Sequence, residues 1–193
     1  MSSATSASAV QVAVLVGSLR KESFSRKIAR GIAQRAERRL RCTLLEIGDL
    51  PLYNQDLDET PPSTWQRLRR DIRAADGVLF VTPEYNRSVP GVLKNAIDVG
   101  SRPHGQNAFD GKPAAVISQT PYKLGAFGAN HALRQSCVFL NMPVLQQPEM
   151  YLNVADVLDD SGALRSGDTA AFIDKFIDAF AGWITRVGAA SRG

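Results

Sequence analysis

Gly77-Val78-Leu79-Phe80-Val81-Thr82-Pro83-Glu84-Tyr85-Asn86-Arg87-Ser88-Val89-Pro90-Gly91 is the stretch that decides the fold. Its first six residues form a near-continuous apolar run that stops at Pro83. A strand with one wet face would alternate polar and apolar residues. A run without alternation reads as a strand covered on both faces, as in parallel sheets. The second half is a connection with two prolines, Pro83 and Pro90, and Pro90 stands near the first turn of a helix expected over Val92 to Val99.

The same alternation of element types spreads in both directions. Upstream, Val12 to Val16 is a second buried run, ending at Gly17. Phe24 to Leu40 follows with helical spacing, Phe24, Ile28, Ile32, Ala36 and Leu40 sharing one side. Thr43 to Ile47 reads as a strand, Gly48 to Pro62 as a loop, and Thr64 to Ala75 as a helix. Downstream come a strand over Ala114 to Ser118, a helix over Asn130 to Leu140, a short strand at Pro143-Val144-Leu145 and a last helix over Thr169 to Val187. Strand then helix, repeated, implies a parallel sheet with helices on both faces. The expectation is an α/β, flavodoxin-like three-layer sandwich whose five strands lie in the order 2-1-3-4-5. Residues 1–9, rich in Ser and Ala, are expected to form a flexible tail, and residues 10–193 one domain.

Composition narrows the function. The 193 residues are 44% hydrophobic and 22% charged, the balance of a globular chain that folds without staples. No stretch reaches the roughly 18 apolar residues of a membrane span. The first residues carry no Lys or Arg, as a secretory signal would. Two cysteines, Cys42 and Cys137, and two histidines, His104 and His131, form no metal-ligand pattern. Two buried thiols in a reducing cytoplasm is the expected setting. The net charge of +4 is compatible with nucleic acid, but an anionic small ligand explains it equally well, and aromatic and basic residues do not interleave.

In an open α/β sheet, ligands bind beyond the carboxyl ends of the strands where the strand order reverses, and the flavodoxin-like order binds FMN between strands one and three. The first loop there, Gly17 to Arg26, is basic, rich in hydroxyls and leads into a helix N-terminus. Free N–H groups and the helix dipole favour a phosphate, with Ser18, Ser23, Ser25 and Arg20 as donors. The alternative is an N-cap serine beside a solvated arginine. GxxxxGK[ST] and GxGxxG are both absent, which weighs against a nucleotide triphosphatase and a Rossmann dehydrogenase. In the second loop Tyr85 can stack on a planar ring or pack at an interface.

Together these residues resemble the NADPH-dependent FMN reductase family. Gly17-Ser18-Leu19-Arg20 with Ser23-Phe24-Ser25 is similar to its phosphate loop. Thr82-Pro83-Glu84-Tyr85-Asn86, Ser88-Val89-Pro90-Gly91 and Leu93-Lys94-Asn95-Ala96-Ile97-Asp98 are similar to its flavin loop and the helix after it. The resemblance runs over roughly Val10 to Gly182, nearest the bacterial chromate and quinone reductases. It implies bound FMN, with Ser18, Arg20 and Ser25 at the phosphate. Pro83, Glu84, Tyr85 and Asn86 would meet the ring, largely through backbone groups, and Ser118 would lie beside it. Ser25 departs from an asparagine common in the family, and its hydroxyl reaches less far.

The implied reaction is a ping-pong hydride transfer from NADPH or NADH to FMN N5 and then to a quinone, chromate or a similar small acceptor. Arg102 would attract an anionic acceptor or the nucleotide phosphates; a surface ion pair with Asp98 or Glu84 is its other reading. His131 is expected to be structural, and the helix bearing Arg26, Arg30, Arg35, Arg38 and Arg39 to present a solvated face. The resemblance also implies a homodimer or a dimer of dimers, with contacts through the helices starting near Val92 and Asn130, where Arg134 and Glu149 could pair between protomers. A flavodoxin-like electron carrier is the competing reading; such carriers are commonly strongly acidic, which this chain is not. No nucleic acid or membrane partner is expected.

Overall fold

The computed structural model describes residues 9–190, so the expected tail lies outside the described residues except for Ala9. The apolar run β3 (Gly77–Thr82) is buried at every residue and occupies the centre of a five-stranded sheet. β1 (Val10–Val16) and β4 (Ala114–Thr120) pair with it in parallel, and β2 (Leu40–Leu44) and β5 (Met150–Asn153) form the edges. The order β2-β1-β3-β4-β5 is the flavodoxin-like one expected.

Successive strand residues point to opposite faces, so one apolar run feeds two cores. Val14, Val16, Leu79, Val81 and Ile117 pack under α1 (Phe24–Ala36) and α6 (Asp168–Ala190). Leu15, Val78, Phe80 and Val116 pack under α2 (Ser63–Ala74), α3 (Gly91–Gly100) and α4 (Phe127–Phe139). Trp65, Phe80, Phe109, Phe176 and Phe180 are among the largest fully buried side chains. Each such side chain contributes about 1.5–3 kcal/mol by leaving water. A four-residue helix, α5 (Val154–Val157), follows β5.

Three expectations are corrected. The first helix stops at Ala36, because Leu40 pairs with Val10 and opens β2. Leu40 fits both a helical stripe and a strand, and sheet pairing decides. β2 is therefore earlier than Thr43 to Ile47; as an edge strand it alternates, with Arg41 and Thr43 more exposed than Leu40. The fifth strand is not Pro143-Val144-Leu145. Val144 makes one bridge to Ala114, the chain leaves the sheet, and it returns as β5 beside Ile117–Thr120. Pro148 lacks the N–H that continuous pairing would need.

The arginines of the first helical stretch are only partly a solvated face. Arg35 donates from Nε (2.8 Å) and Nη2 (2.5 Å) to the two oxygens of Asp174, and Arg39 pairs with Asp178 at 2.6 Å. Both acids lie on α6, so this edge pins α6 to α1. Among the described residues no helix is long and apolar enough to cross a membrane.

Cys42 and Cys137 are unpaired, and burial pushes their thiols up to about 11 and about 12. Both groups are neutral in the folded protein up to alkaline pH. In the unfolded chain they ionise near pH 8.5, so the stability they contribute is complete below that pH and is lost as the pH rises toward 11 and 12. A disulfide reagent at pH 8 should label the folded protein slowly and take up two equivalents once the chain is unfolded in denaturant.

Gly100, at the end of α3, supplies a second test. A Cβ there would stand 2.5 Å from Phe109 Cε2 and 3.1 Å from Ile72 Cδ1. Overpacking of this kind costs about 1–3 kcal/mol. Gly100→Ala should lower the denaturation midpoint by a corresponding amount, measured by urea titration followed by circular dichroism.

Candidate active site

The cleft forms where β1 and β3 lie side by side and their chains depart. α1 leaves to one face of the sheet and α3 to the other. Gly17 N–H donates to Val81 O at 2.9 Å, the last rung between the strands. A Cβ on Gly17 would lie 2.8 Å from Thr82 Oγ1 and 3.2 Å from Leu93 Cδ2, so only glycine lets the first loop approach β3 this closely.

The first loop then turns into α1. Ser23 caps it, its Oγ accepting from Arg26 N–H at 3.2 Å. The first-turn amides of any helix lack intrahelical acceptors, so this end attracts anions. Ser18 is buried and lines the cleft. Arg20 is exposed, lines the same cleft, and holds its guanidinium 5.7 Å from the Phe24 ring centroid.

The second loop is a tight hairpin. Tyr85 and Ser88 exchange both backbone hydrogen bonds, at 3.1 and 2.9 Å, around Asn86 and Arg87. Both central residues have positive φ, 51° and 62°, as in a type I′ turn. Pro83, Glu84 and Tyr85 line the cleft; Asn86 is exposed at the tip of the turn. Glu84 turns its carboxylate away to α4, where Oε2 accepts from Ala129 N–H at 3.0 Å. Its other oxygen accepts from Arg87 at 3.2 Å. A Cβ on Gly128 would sit 2.7 Å from Arg87 O, so that glycine lets α4 dock on the hairpin.

The third wall comes from the end of β4. The Ser118 side chain does not face the cleft: its Oγ donates to Gly125 O at 2.7 Å and accepts from Asn130 Nδ2 at 3.1 Å. The cleft is lined instead by Gln119, Thr120, Pro121 and Tyr122. Gln119 was legible from the two-residue period of the strand. Ile117 packs with the α1 layer, so Gln119 must point to it and Ser118 away. Ser25 is fully buried beneath the cleft, and its Oγ accepts from Gln119 Nε2 at 2.8 Å.

The structure does not bring Arg102 to this cleft within the chain. It lies past the far end of α3, a ten-residue helix, about 15 Å long, that starts beside the cleft. Its charge acts on the Tyr53 phenol. Neither expected ion pair forms, since Asp98 binds Lys94 at 2.7 Å and Glu84 binds Arg87. Asn95 is structural, with Oδ1 accepting from Tyr53 N–H at 2.8 Å and Nδ2 donating to Pro51 O at 3.1 Å. His131 Nε2 lies 2.9 Å from the Tyr151 hydroxyl, which donates to Glu149 at 2.9 Å. Burial pushes the Tyr151 phenol up, and the hydrogen bond to Glu149 adds to the shift, to about 12. Arg134 donates to Asn130 and Leu145 of its own chain. Among the described residues no cluster of His, Cys, Asp or Glu could hold a metal ion.

A phosphorylated planar cofactor fits this geometry. The anion end is met by a helix N-terminus, Ser18 and Arg20. A flat ring is offered the exposed Tyr85, and Gln119, which also lines the cleft, holds a buried amide carbonyl without a protein partner.

Removal of the Glu84 carboxylate tests how the hairpin is held. A lost helix cap costs about 0.5–2 kcal/mol. Glu84→Ala should destabilise the protein by about 1 kcal/mol in denaturant titration, and Glu84→Gln, which keeps an acceptor oxygen, by less.

The chain is 59% identical to a quinone reductase of Pseudomonas putida over 90% of its own length and 94% of the relative's. It is 42% identical to a 2-hydroxy-1,4-benzoquinone reductase of a Burkholderia species, covering 91% and 97%. The solved structure of a flavoenzyme NAD(P)H:(acceptor) oxidoreductase from Paracoccus denitrificans superimposes with a TM-score of 0.87 at 44% identity, covering 92% of this chain and 98% of that one. Residues 10–156 match the family described as NADPH-dependent FMN reductase, three-quarters of the sequence and all three walls of the cleft, and the chain belongs to that family.

Proposed function

We propose that this enzyme oxidises NADPH or NADH through FMN held in the cleft and passes the electrons to a quinone, with chromate as an alternative small acceptor. The observation that carries the reading is the convergence of an anion-binding helix start, Arg20 and a rigid backbone hairpin on one cleft. The quinone reductases among its relatives support the acceptor class. When bound, FMN supplies a hydride acceptor at N5 and an electron donor to the second substrate.

The chain's own residues bind and orient. Ser18, Arg20 and the start of α1 hold the phosphate, with Ser25 behind them. The hairpin offers the ring edge the amides of Glu84, Asn86 and Arg87, which the Tyr85–Ser88 pair leaves over, to stabilise added negative charge. Tyr85 and Tyr122, 54% and 76% exposed, flank the opening and offer flat surfaces to a nicotinamide or a quinone. One opening serves both substrates, so the nicotinamide leaves before the acceptor enters, a ping-pong order.

The active assembly is a homodimer or a dimer of dimers in the cytoplasm. The exposed Val138 and Phe139 of α4, at 79% and 81%, support the first part. The two unpaired cysteines support the second.

A visible spectrum of the purified protein, before and after anaerobic NADPH or NADH, tests the reading. Flavin bands that bleach with either nucleotide are the expected result, and the faster donor identifies the preferred one. Bands that stay oxidised with both would identify an electron carrier. Arg20→Ala removes a charge-assisted contact of about 1.5–3 kcal/mol, and should raise the FMN dissociation constant at least tenfold.

A further inference from the structure

Gln119 is a buried polar side chain of the cleft that the proposed chemistry leaves unused. It is 3% exposed, and its Oε1 has no hydrogen-bond partner. A buried carbonyl without a partner is costly, and its persistence at a binding site needs an explanation. The amide group at the other end is committed, since Nε2 donates to Ser25 Oγ at 2.8 Å.

That bond sets the polarity of the neighbouring group. Ser25 Oγ accepts from Gln119, so the serine's own proton is free to be donated. Ser25 stands in the first turn of α1, where unpaired amides already favour an anion. An anion there meets the helix amides and a serine hydroxyl whose acceptor side is occupied. The Gln119 carbonyl offers the opposite polarity, an acceptor for a hydroxyl donor. An anion acceptor and a hydroxyl donor joined in one molecule describe a polyol phosphomonoester.

We propose that Gln119 is a binding residue for the phosphorylated polyol chain of the cofactor: its carbonyl accepts from a chain hydroxyl, and its amide turns the Ser25 hydroxyl toward the phosphate. This rests on the reading that FMN occupies the cleft. Gln119 is then a determinant of selectivity for FMN over riboflavin, acting on the phosphate through Ser25.

The proposal separates the stability of the empty protein from its affinity. Gln119→Leu removes an unsatisfied carbonyl and keeps most of the volume. The apo-protein should melt at the same temperature or higher, because the lost Ser25 contact is offset by relief of the orphan group. FMN, titrated into apo-protein by fluorescence quenching, should bind roughly ten- to fiftyfold more weakly. Riboflavin should lose less, as it lacks the phosphate. Ser25→Ala should weaken FMN as well, and the double variant should be weaker by less than the product of the two single effects.

Unchanged FMN affinity in Gln119→Leu would overturn the proposal. So would a fall in apo melting temperature with FMN and riboflavin weakened equally, which is the behaviour of a packing residue or of a carbonyl satisfied by buried water. Ribitol 5-phosphate, titrated by calorimetry, separates the two layers of inference. If the wild-type protein binds it in a Gln119-dependent way but binds no FMN, the flavin reading falls and the polyol phosphate site stands. If it binds neither, both fall.

Discussion

The cleft depends on one constraint: β1 and β3 are hydrogen-bonded neighbours while the helices that follow them lie on opposite faces of the sheet. The two chains therefore diverge at the strand ends and leave a gap above them. The gap is thus a consequence of strand order, present whatever the side chains are. The sequence needs only to keep the two strand ends close, which the bare backbone of Gly17 does, and to place donors on α1.

The second and third walls are held by a small set of contacts around α4. Its N-terminus has no side-chain cap of its own, and Glu84 supplies an acceptor from the hairpin. Ser118, Gly125 and Asn130 join β4, the loop before α4 and α4 itself through one buried hydroxyl. Gly125, at φ +56° with its Cα side against the Tyr151 backbone, lets that loop pack closely on the edge strand β5. The hairpin and the β4 loop, far apart in sequence, are therefore positioned by the same helix end.

Much of this was legible in the residues, and the failures have physical causes. The central strands were found because burial on both faces leaves a continuous apolar run. The edge strands were misplaced because pairing on one side only, with a partly wet face, leaves a weaker pattern; β5 was further hidden by Pro148, which breaks the sheet pairing after Val144. The first loop at the N-terminus of α1 and the hairpin were legible as motifs. Ser118 came from the family resemblance and Gln119 was passed over, although strand parity turns Gln119 to the cleft side and Ser118 to α4. Arg102, expected beyond the helix that follows the hairpin, does lie there, and the ten residues of α3 separate it from the cleft of its own chain.

The two neutral thiols have a consequence under the proposed quinone chemistry. Quinones are Michael acceptors, and the thiolate is the form of cysteine that adds to them. Cys137 lies on the buried face of α4 at 1% exposure and Cys42 on a half-covered edge strand, both with ionisation suppressed by burial. Under the proposed quinone chemistry the folded protein offers such electrophiles no ready thiolate, and is spared arylation by its own substrates.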